Sequence, residues 1–219
     1  MHIALIGATG FVGRAVLTEL LDRGHRVTAL VRAPGKIEPS ANLSEVVADA
    51  YDGAAIAKAI AGCDAVISAF NPGWQHPDLY PKFLEGSAAI VRGVEASGVR
   101  RLIVVGGAGS LFVAPGVQLV DTEDFLNQVP SYVVPGARGA RDAMTAMAGN
   151  VSLDWTFVSP PAFLEEGERT GRYRLGSDQL LMDGNKPAGI AVADLAIAIV
   201  DELETPKHLQ ARFTVARDK

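Results

Sequence analysis

Apolar residues recur along the chain in two rhythms. His2 to Ile6 is a short continuous apolar run, the mark of a buried strand, and it ends at a glycine. From Phe11 to Arg23 the spacing changes, and Val12, Val16, Leu20 and Leu21 share one helical face. Gly24 closes that helix, and Arg26 to Val31 resumes as a strand rich in β-branched residues. Strand, helix and strand are complete within about 30 residues, the size of a βαβ unit.

The alternation continues with strands predicted over Leu43 to Ala48, Ala65 to Ala69 and Arg101 to Val105, and helices over Ala54 to Ala61 and Tyr80 to Ser97. In the last of these helices Phe83, Ile90, Val91 and Val94 form the apolar stripe. Beyond Gly106 the pattern predicts a short helix from Asp121 to Asn127, a helix from Gly139 to Ala148 and a strand from Asp154 to Val158, stopped by Ser159-Pro160-Pro161. Glu165 to Leu181 is charged and punctuated by glycine, an excursion with room for a hairpin. Val192 to Leu203 reads as a final helix and Phe213 to Val215 as a late strand. Strands that are continuously apolar are buried on both faces, so the expected fold is α/β, a doubly wound parallel sheet of Rossmann type with helices on both sides. Nothing resembling a linker divides the chain. One domain over residues 1–219 is expected, with a small C-terminal excursion around 159–191 that carries an acceptor site.

Composition narrows the partners. A net charge of -5 argues against nucleic acid, whose binders need surplus Lys and Arg to displace counterions. There is no run of 18 apolar residues to span a membrane and no secretion signal at the N-terminus, and the lone Cys63 suits a reducing compartment, so a cytoplasmic location is expected. The four histidines show no metal-ligand spacing, and no metal is expected. The sequence leaves the oligomeric state open.

The chemistry sits at the first strand-to-helix junction. Gly7, Gly10 and Gly13 are three residues apart where a helix N-terminus presents unpaired N–H groups and a partial positive charge. A β-carbon there would obstruct the turn, the approach of phosphate oxygens, or the packing of helix on strand. The loop from Gly7 through Thr9, Gly10, Phe11 and Val12 to Gly13 is therefore expected to cradle the pyrophosphate of a dinucleotide. NAD-specific folds place a carboxylate at the end of the second strand, roughly 20 residues on, to meet the ribose 2′-hydroxyl. Here that position is Arg32, whose planar fork of donors suits a 2′-phosphate. The expected cofactor is NADP, with NAD as the alternative and a solvated loop arginine as the plainer reading of Arg32.

The Gly-x-x-Gly-x-x-Gly spacing resembles the extended and atypical branches of the short-chain dehydrogenase/reductases. Asn71-Pro-Gly-Trp74, Val104 to Ser110, Gly116 to Asp121, Asp154 to Ser159 and Gly167 to Gly176 are similar to the subgroup provisionally named NADH-flavin reductases, related to NmrA-like regulators. The resemblance covers nearly the whole chain. It implies that Asp49 meets the adenine amino group, where an Asx turn is the plainer role, and that Ala69 and Phe70 lie along the ribose and pyrophosphate. Gly106, Ser159 and Pro160 follow the strands that should border the nicotinamide. It also implies Ser110 as the active-site serine.

One element of that superfamily is missing. The usual Tyr-x-x-x-Lys proton donor is absent, since Tyr132 is followed four residues later by Gly136 and no other tyrosine has a Lys at that spacing. The candidate catalytic residues are then Ser110, to orient the nicotinamide or an acceptor carbonyl, and Trp74, to stack on a flat acceptor such as a flavin substrate. Trp74 packing its loop onto the domain, Ser110 as an ordinary loop serine and His76 as a surface residue stand beside these readings. Two functions remain: an NAD(P)H-dependent oxidoreductase acting on a small-molecule acceptor, and an NADP-binding redox sensor without turnover. An open acceptor cavity near Ser110 and Trp74 separates them.

Overall fold

The computed structural model describes residues 1–218. Eight strands form the main sheet: β1 (His2–Ile6), β2 (Arg26–Val31), β3 (Leu43–Val47), β4 (Ala65–Ser68), β5 (Arg101–Val105), β6 (Asp154–Ser159), β7 (Tyr173–Gly176) and β8 (Ala211–Arg217). Their order across the sheet is β7-β8-β6-β5-β4-β1-β2-β3. All neighbours run parallel except β7, which is antiparallel to β8. The six strands from β3 to β6 stand in the order of a dinucleotide-binding sheet, which reverses direction between β1 and β4.

The apolar strands are continuous because both faces of the sheet are covered. In β1, Ile3 and Leu5 join the core beneath α1 (Phe11–Asp22) and α6 (Val192–Glu204), while Ala4 and Ile6 join the core on the other face. That second core is covered by α2 (Gly53–Ile60), α3 (Leu79–Ser97) and α5 (Val134–Met147), which contribute Ile56, Ile60, Ile90, Val94 and Met147. A short helix, α4 (Glu123–Gln128), capped by the Thr122 hydroxyl, lies between β5 and α5 in sequence. The architecture is an α/β single domain with a mostly parallel sheet, as the periodicity predicts.

The structure corrects three expectations. The helix predicted from Gly139 begins at Val134, because Pro135 falls in the first turn, where its missing N–H costs nothing. The excursion holds no hairpin between Glu165 and Leu181. Instead Phe163–Glu165 pairs in parallel with Gly189–Ala191, and Tyr173–Gly176 adds to the edge of the main sheet as β7. The hairpin lies further on, where Met182–Asp183 pairs with Lys186–Pro187. The late strand runs from Ala211 to Arg217 rather than over three residues.

Buried carboxylates pin the excursion to the helices. Glu19 of α1, only 3% exposed, accepts bonds from Arg23 Nε at 2.7 Å and from Arg169 Nε at 2.8 Å and Nη2 at 2.9 Å. Asp194 of α6 accepts the Thr170 N–H at 2.8 Å, the Thr170 hydroxyl at 2.6 Å and the Gly171 N–H at 2.9 Å.

Candidate cofactor and acceptor site

Gly7, Gly10 and Gly13 are glycines for three different reasons. Gly7 adopts φ +82°, and a β-carbon on it would stand 2.4 Å from the carbonyl oxygen of Ala69, so β4 passes against the loop at backbone distance. At Gly13 a β-carbon would stand 1.9 Å from the Gly7 carbonyl oxygen, which is the close packing of helix on turn. Gly10 differs, since the nearest atom to an added β-carbon is the Gly7 oxygen at 3.3 Å. A side chain there needs the turn to give by only a few tenths of an ångström, far less than at Gly7 or Gly13.

The Gly10 N–H closes the turn onto Gly7 O at 2.9 Å and Gly10 O accepts from Arg14 N at 2.9 Å. The first turn of α1 carries no acidic residue and no side-chain cap. Its leading N–H groups, on Phe11, Val12 and Gly13, are therefore available to a phosphate. The Phe11 and Val12 side chains do not border the cavity described next, so what those two residues offer is backbone.

Beside the loop lies a cavity of about 450 Å³ at the carboxyl ends of β1 to β4. It brings together Gly7, Thr9, Gly10, Arg32, Asp49, Ala69 and Phe70, positions spread over more than sixty residues of sequence. Arg32 is exposed and makes no ion pair among the described residues. Glu45, on the neighbouring strand β3, accepts the Gly35 N–H at 2.7 Å at one carboxylate oxygen and pairs with no cation among the described residues. Asp49 makes the Asx turn, its Oδ1 accepting the Tyr51 N–H at 3.0 Å, and it also borders the cavity. The Phe70 ring turns away onto α3, where a β-carbon on Gly86 would stand 2.3 Å from it.

Four polar cavity residues escape the sequence reading as cofactor contacts: Tyr51, Asn71, His76 and Lys82. Lys82 Nζ lies 4.9 Å from the Tyr51 ring centroid and also pairs with Glu85 at 2.7 Å. Burial holds the Tyr51 phenol above its ordinary value, so it stays protonated at neutral pH. His76 Nδ1 accepts the Asp78 N–H at 3.0 Å, which leaves the proton of the neutral ring on Nε2. No periodicity or spacing marks these positions, because α2, α3 and two loops converge on them only in the folded chain.

Toward the other end of the same sheet edge, past β5 and β6, a second cavity of about 800 Å³ opens between Ala108, Phe112, Phe125, Phe163, Met182 and Lys186. It is walled by α4 and by the excursion. Ser110 is beneath it rather than in it. The residue is 1% exposed, its hydroxyl donates to Gly107 O at 3.3 Å and sits 3.4 Å from the hydroxyl of the fully buried Ser159. Pro160 is buried beside Ser159. Gly106 is required by packing, as a β-carbon would stand 2.1 Å from the Phe157 ring. Ser110, Ser159, Pro160 and Gly106 thus shape the floor of this end without opening onto either cavity.

The buried member that sequence reading misses is Arg212. Its Nη1 donates to Ser110 O at 2.8 Å and to Ser110 Oγ at 3.1 Å, while Nε and Nη2 reach Asp178 Oδ1 at 2.9 and 2.6 Å. An arginine just before the short strand expected over Phe213 to Val215 gives no warning of this. Trp74, 48% exposed, borders neither cavity. Its ring lies 2.8 Å from where a β-carbon of Gly136 would be, so it fills the space that a lysine four residues after Tyr132 would need. The missing proton donor and the tryptophan are two sides of one packing arrangement.

Residues 7–206 match the family described as NAD(P)H-binding. The chain belongs to that family. Within it the branch is that of the atypical short-chain dehydrogenase/reductases. Three solved structures share the fold over essentially their whole lengths. A Bacteroides thetaiotaomicron protein provisionally termed an epimerase is 42% identical with a TM-score of 0.91, covering 100% of this chain and 97% of its own. A Burkholderia pseudomallei protein provisionally termed exported is 44% identical at 0.86, covering 99% of each. A Streptococcus pneumoniae protein provisionally termed an NADH-flavin reductase is 32% identical at 0.84, covering 100% of each. These names disagree, so family membership carries the nucleotide and leaves the reaction to the site. Among the described residues no helix is long and apolar enough to cross a membrane, and no group of His, Cys, Asp and Glu is placed to hold a metal.

Proposed function

We propose that this NAD(P)H-binding protein is a reductase that uses NADPH and passes hydride to a flat small-molecule acceptor, a flavin being the type substrate. The observation that carries the reading is the pair of cavities along one sheet edge. The first, with Arg32 and the glycine loop, suits an adenosine phosphate and a pyrophosphate. The second is open, bordered by Phe112, Phe125 and Phe163, and wide enough for a ring system. A binding protein that only sensed the nucleotide would have no use for this second cavity.

When bound, the nicotinamide supplies hydride. The chain's own contribution is alignment. The first turn of α1 neutralises the pyrophosphate, the loops after β5 and β6 set the floor, and the aromatic walls hold the acceptor flat. Such positioning can lower a barrier by about 7 to 11 kcal/mol without a protein acid. A flavin tolerates the missing acid because the charge it gains spreads over its ring and carbonyls. The single cysteine, Cys63, buried and free, supports a cytoplasmic setting, which fractionation of cells producing the protein checks.

The test is a single-turnover measurement of NADPH oxidation by free FMN. The hydride-transfer rate should vary little between about pH 6 and 8, Tyr132→Phe should leave it unchanged, and Phe163→Ala should raise the acceptor KM several-fold. Loss of transfer in Tyr132→Phe with cofactor binding intact overturns the acid-free mechanism. Tight NADPH binding with no reduction of FMN or any other flat acceptor leaves the sensor as the function.

A further inference from the structure

A third cavity, of about 440 Å³, lies between α3 and α5 and shares no residue with the two described above. Its floor is the sheet, at Val104 and Phe157, and its walls include Val91 and Met147, so its body is apolar. Three polar groups in that lining, Ser68, Ser87 and Arg92, have no hydrogen-bond or ion-pair partner among the described residues, and Ser68 is the most deeply buried of them. Ser68, at the carboxyl end of β4, is 2% exposed, and its hydroxyl has no hydrogen-bond partner among the described residues. Buried hydroxyls are nearly always paired, so one left open onto an apolar cavity points to a group that enters it.

The cation among them is Arg92, toward the carboxyl end of α3. The nearest acid on its own helix, Glu95, is taken by Asn150 Nδ2 at 2.8 Å and the Ser152 hydroxyl at 2.6 Å, and no carboxylate pairs with Arg92 among the described residues. Asp142, the acid in the lining, is likewise occupied, by the Tyr80 hydroxyl at 2.7 Å and Arg141 Nε at 2.7 Å. The cavity therefore combines an unpaired cation, Arg92, with unpaired hydroxyls on Ser68 and Ser87 over an otherwise largely apolar lining. Along α3 its wall runs from Leu84 to Arg92, about 12 Å at the helical rise.

We propose that this cavity binds a small amphiphilic acid of about that extended length, with its carboxylate on Arg92 and a hydroxyl or carbonyl at its far end on Ser68. An apolar body covers Val91, Val104, Met147 and Phe157. The site is independent of the cofactor cavity, so its failure and the failure of the reductase reading are separable.

The experiment is calorimetric titration of the full chain with 8-hydroxyoctanoate, octanoate and octane-1,8-diol. The hydroxy acid should bind saturably at one site. The diol, lacking the charge-assisted bond to Arg92, should bind about 10-fold to 150-fold more weakly. Octanoate, lacking only the neutral bond to Ser68, should lose about 2-fold to 10-fold. Arg92→Ala, a change at an exposed residue, should erase the preference for acid over diol, Ser68→Ala should erase that for hydroxy acid over octanoate, and both should bind NADPH as the parent does. Absence of saturable binding by either acid overturns the proposal, as do preferences that survive these substitutions. Should the chain instead self-associate in sedimentation while neither acid binds, the cleft belongs to a second copy and the proposal falls.

Discussion

A β-carbon added at Gly10 and one added at Gly13 meet very different surroundings, although the two residues are one turn apart. At Gly13 it would collide with backbone at 1.9 Å, and at Gly10 it would meet only the Gly7 carbonyl oxygen, at 3.3 Å, in the space that the proposed function gives to phosphate. Gly10→Val should therefore leave the far-UV circular dichroism unchanged while nearly abolishing NADPH binding, and Gly13→Val should unfold the protein. Unfolding of Gly10→Val would remove the distinction. Arg32 supports a second prediction at this scale. In the proposed function only a 2′-phosphate uses its guanidinium, so Arg32→Ala should weaken NADPH by about 10-fold to 150-fold and NADH hardly at all in parallel titrations. Equal losses would assign Arg32 to the shared part of the two cofactors. Glu19 supplies a third. The hydrogen bonds from Arg169, with the one from Arg23, hold its carboxyl below the ordinary carboxylate value. A depressed folded value means stabilisation that is present above the ordinary carboxylate range and lost as pH falls through the folded value. Urea denaturation should show the parent losing stability with acid in that window and Glu19→Gln, already weaker at neutral pH by about 1 to 3 kcal/mol, losing less of it.

Single elements decide how the acceptor end is built. The excursion meets the Ser110 loop through backbone bonds from Phe112 N to Asp178 O at 2.8 Å and from Leu180 N to Phe112 O at 2.9 Å, and the Arg212–Asp178 pair fastens this junction from β8. Asp178→Asn leaves a nearly buried guanidinium without its counter-charge. Because Asp178 is itself 57% exposed, the cost in stability should be about 1 to 3 kcal/mol, below that for a fully buried pair. The acceptor KM should rise while NADPH affinity holds, and a fall in NADPH affinity of the same size would show that the junction serves both ends. These elements also mark how far the sequence can be read. β1, β2, β4 and β5 were legible because a strand buried on both faces is apolar nearly throughout, as Ile3 to Ile6 are. The glycine loop was legible because its constraint is local. β7 was not, since Tyr173–Gly176 finds its partner forty residues later in β8, whose ends carry Arg212 and Arg217. The placement of Ser110 and Trp74 was equally hidden. The first is closed off by an arginine from the far end of the chain, and the second by a glycine, Gly136, that reads in sequence as a mere helix breaker.

At the scale of the whole molecule, the strand nearest the carboxyl end of this sequence is an interior one. β8 lies between β7 and β6, paired on both sides, and its Phe213, Thr214 and Val215 are essentially inaccessible. A chain emerging from a ribosome amino end first can assemble β1 to β6 as they appear, since each is flanked by strands already made or soon to follow. It cannot close the acceptor end in that way. While residues 211–217 are still in the exit tunnel, β6 is a bare edge, β7 has no partner, Ser110 lacks its arginine, and the sheet offers an open row of N–H and C=O groups. The nucleotide-binding half is thus born before the acceptor half. On stalled ribosomes, nascent chains with residues through 210 exposed should already retain on an immobilised NADP analogue, yet be cleaved by protease within the excursion. Release of the last strand should confer protection there in one step, and protection gained before that strand emerges would show that the excursion folds without it.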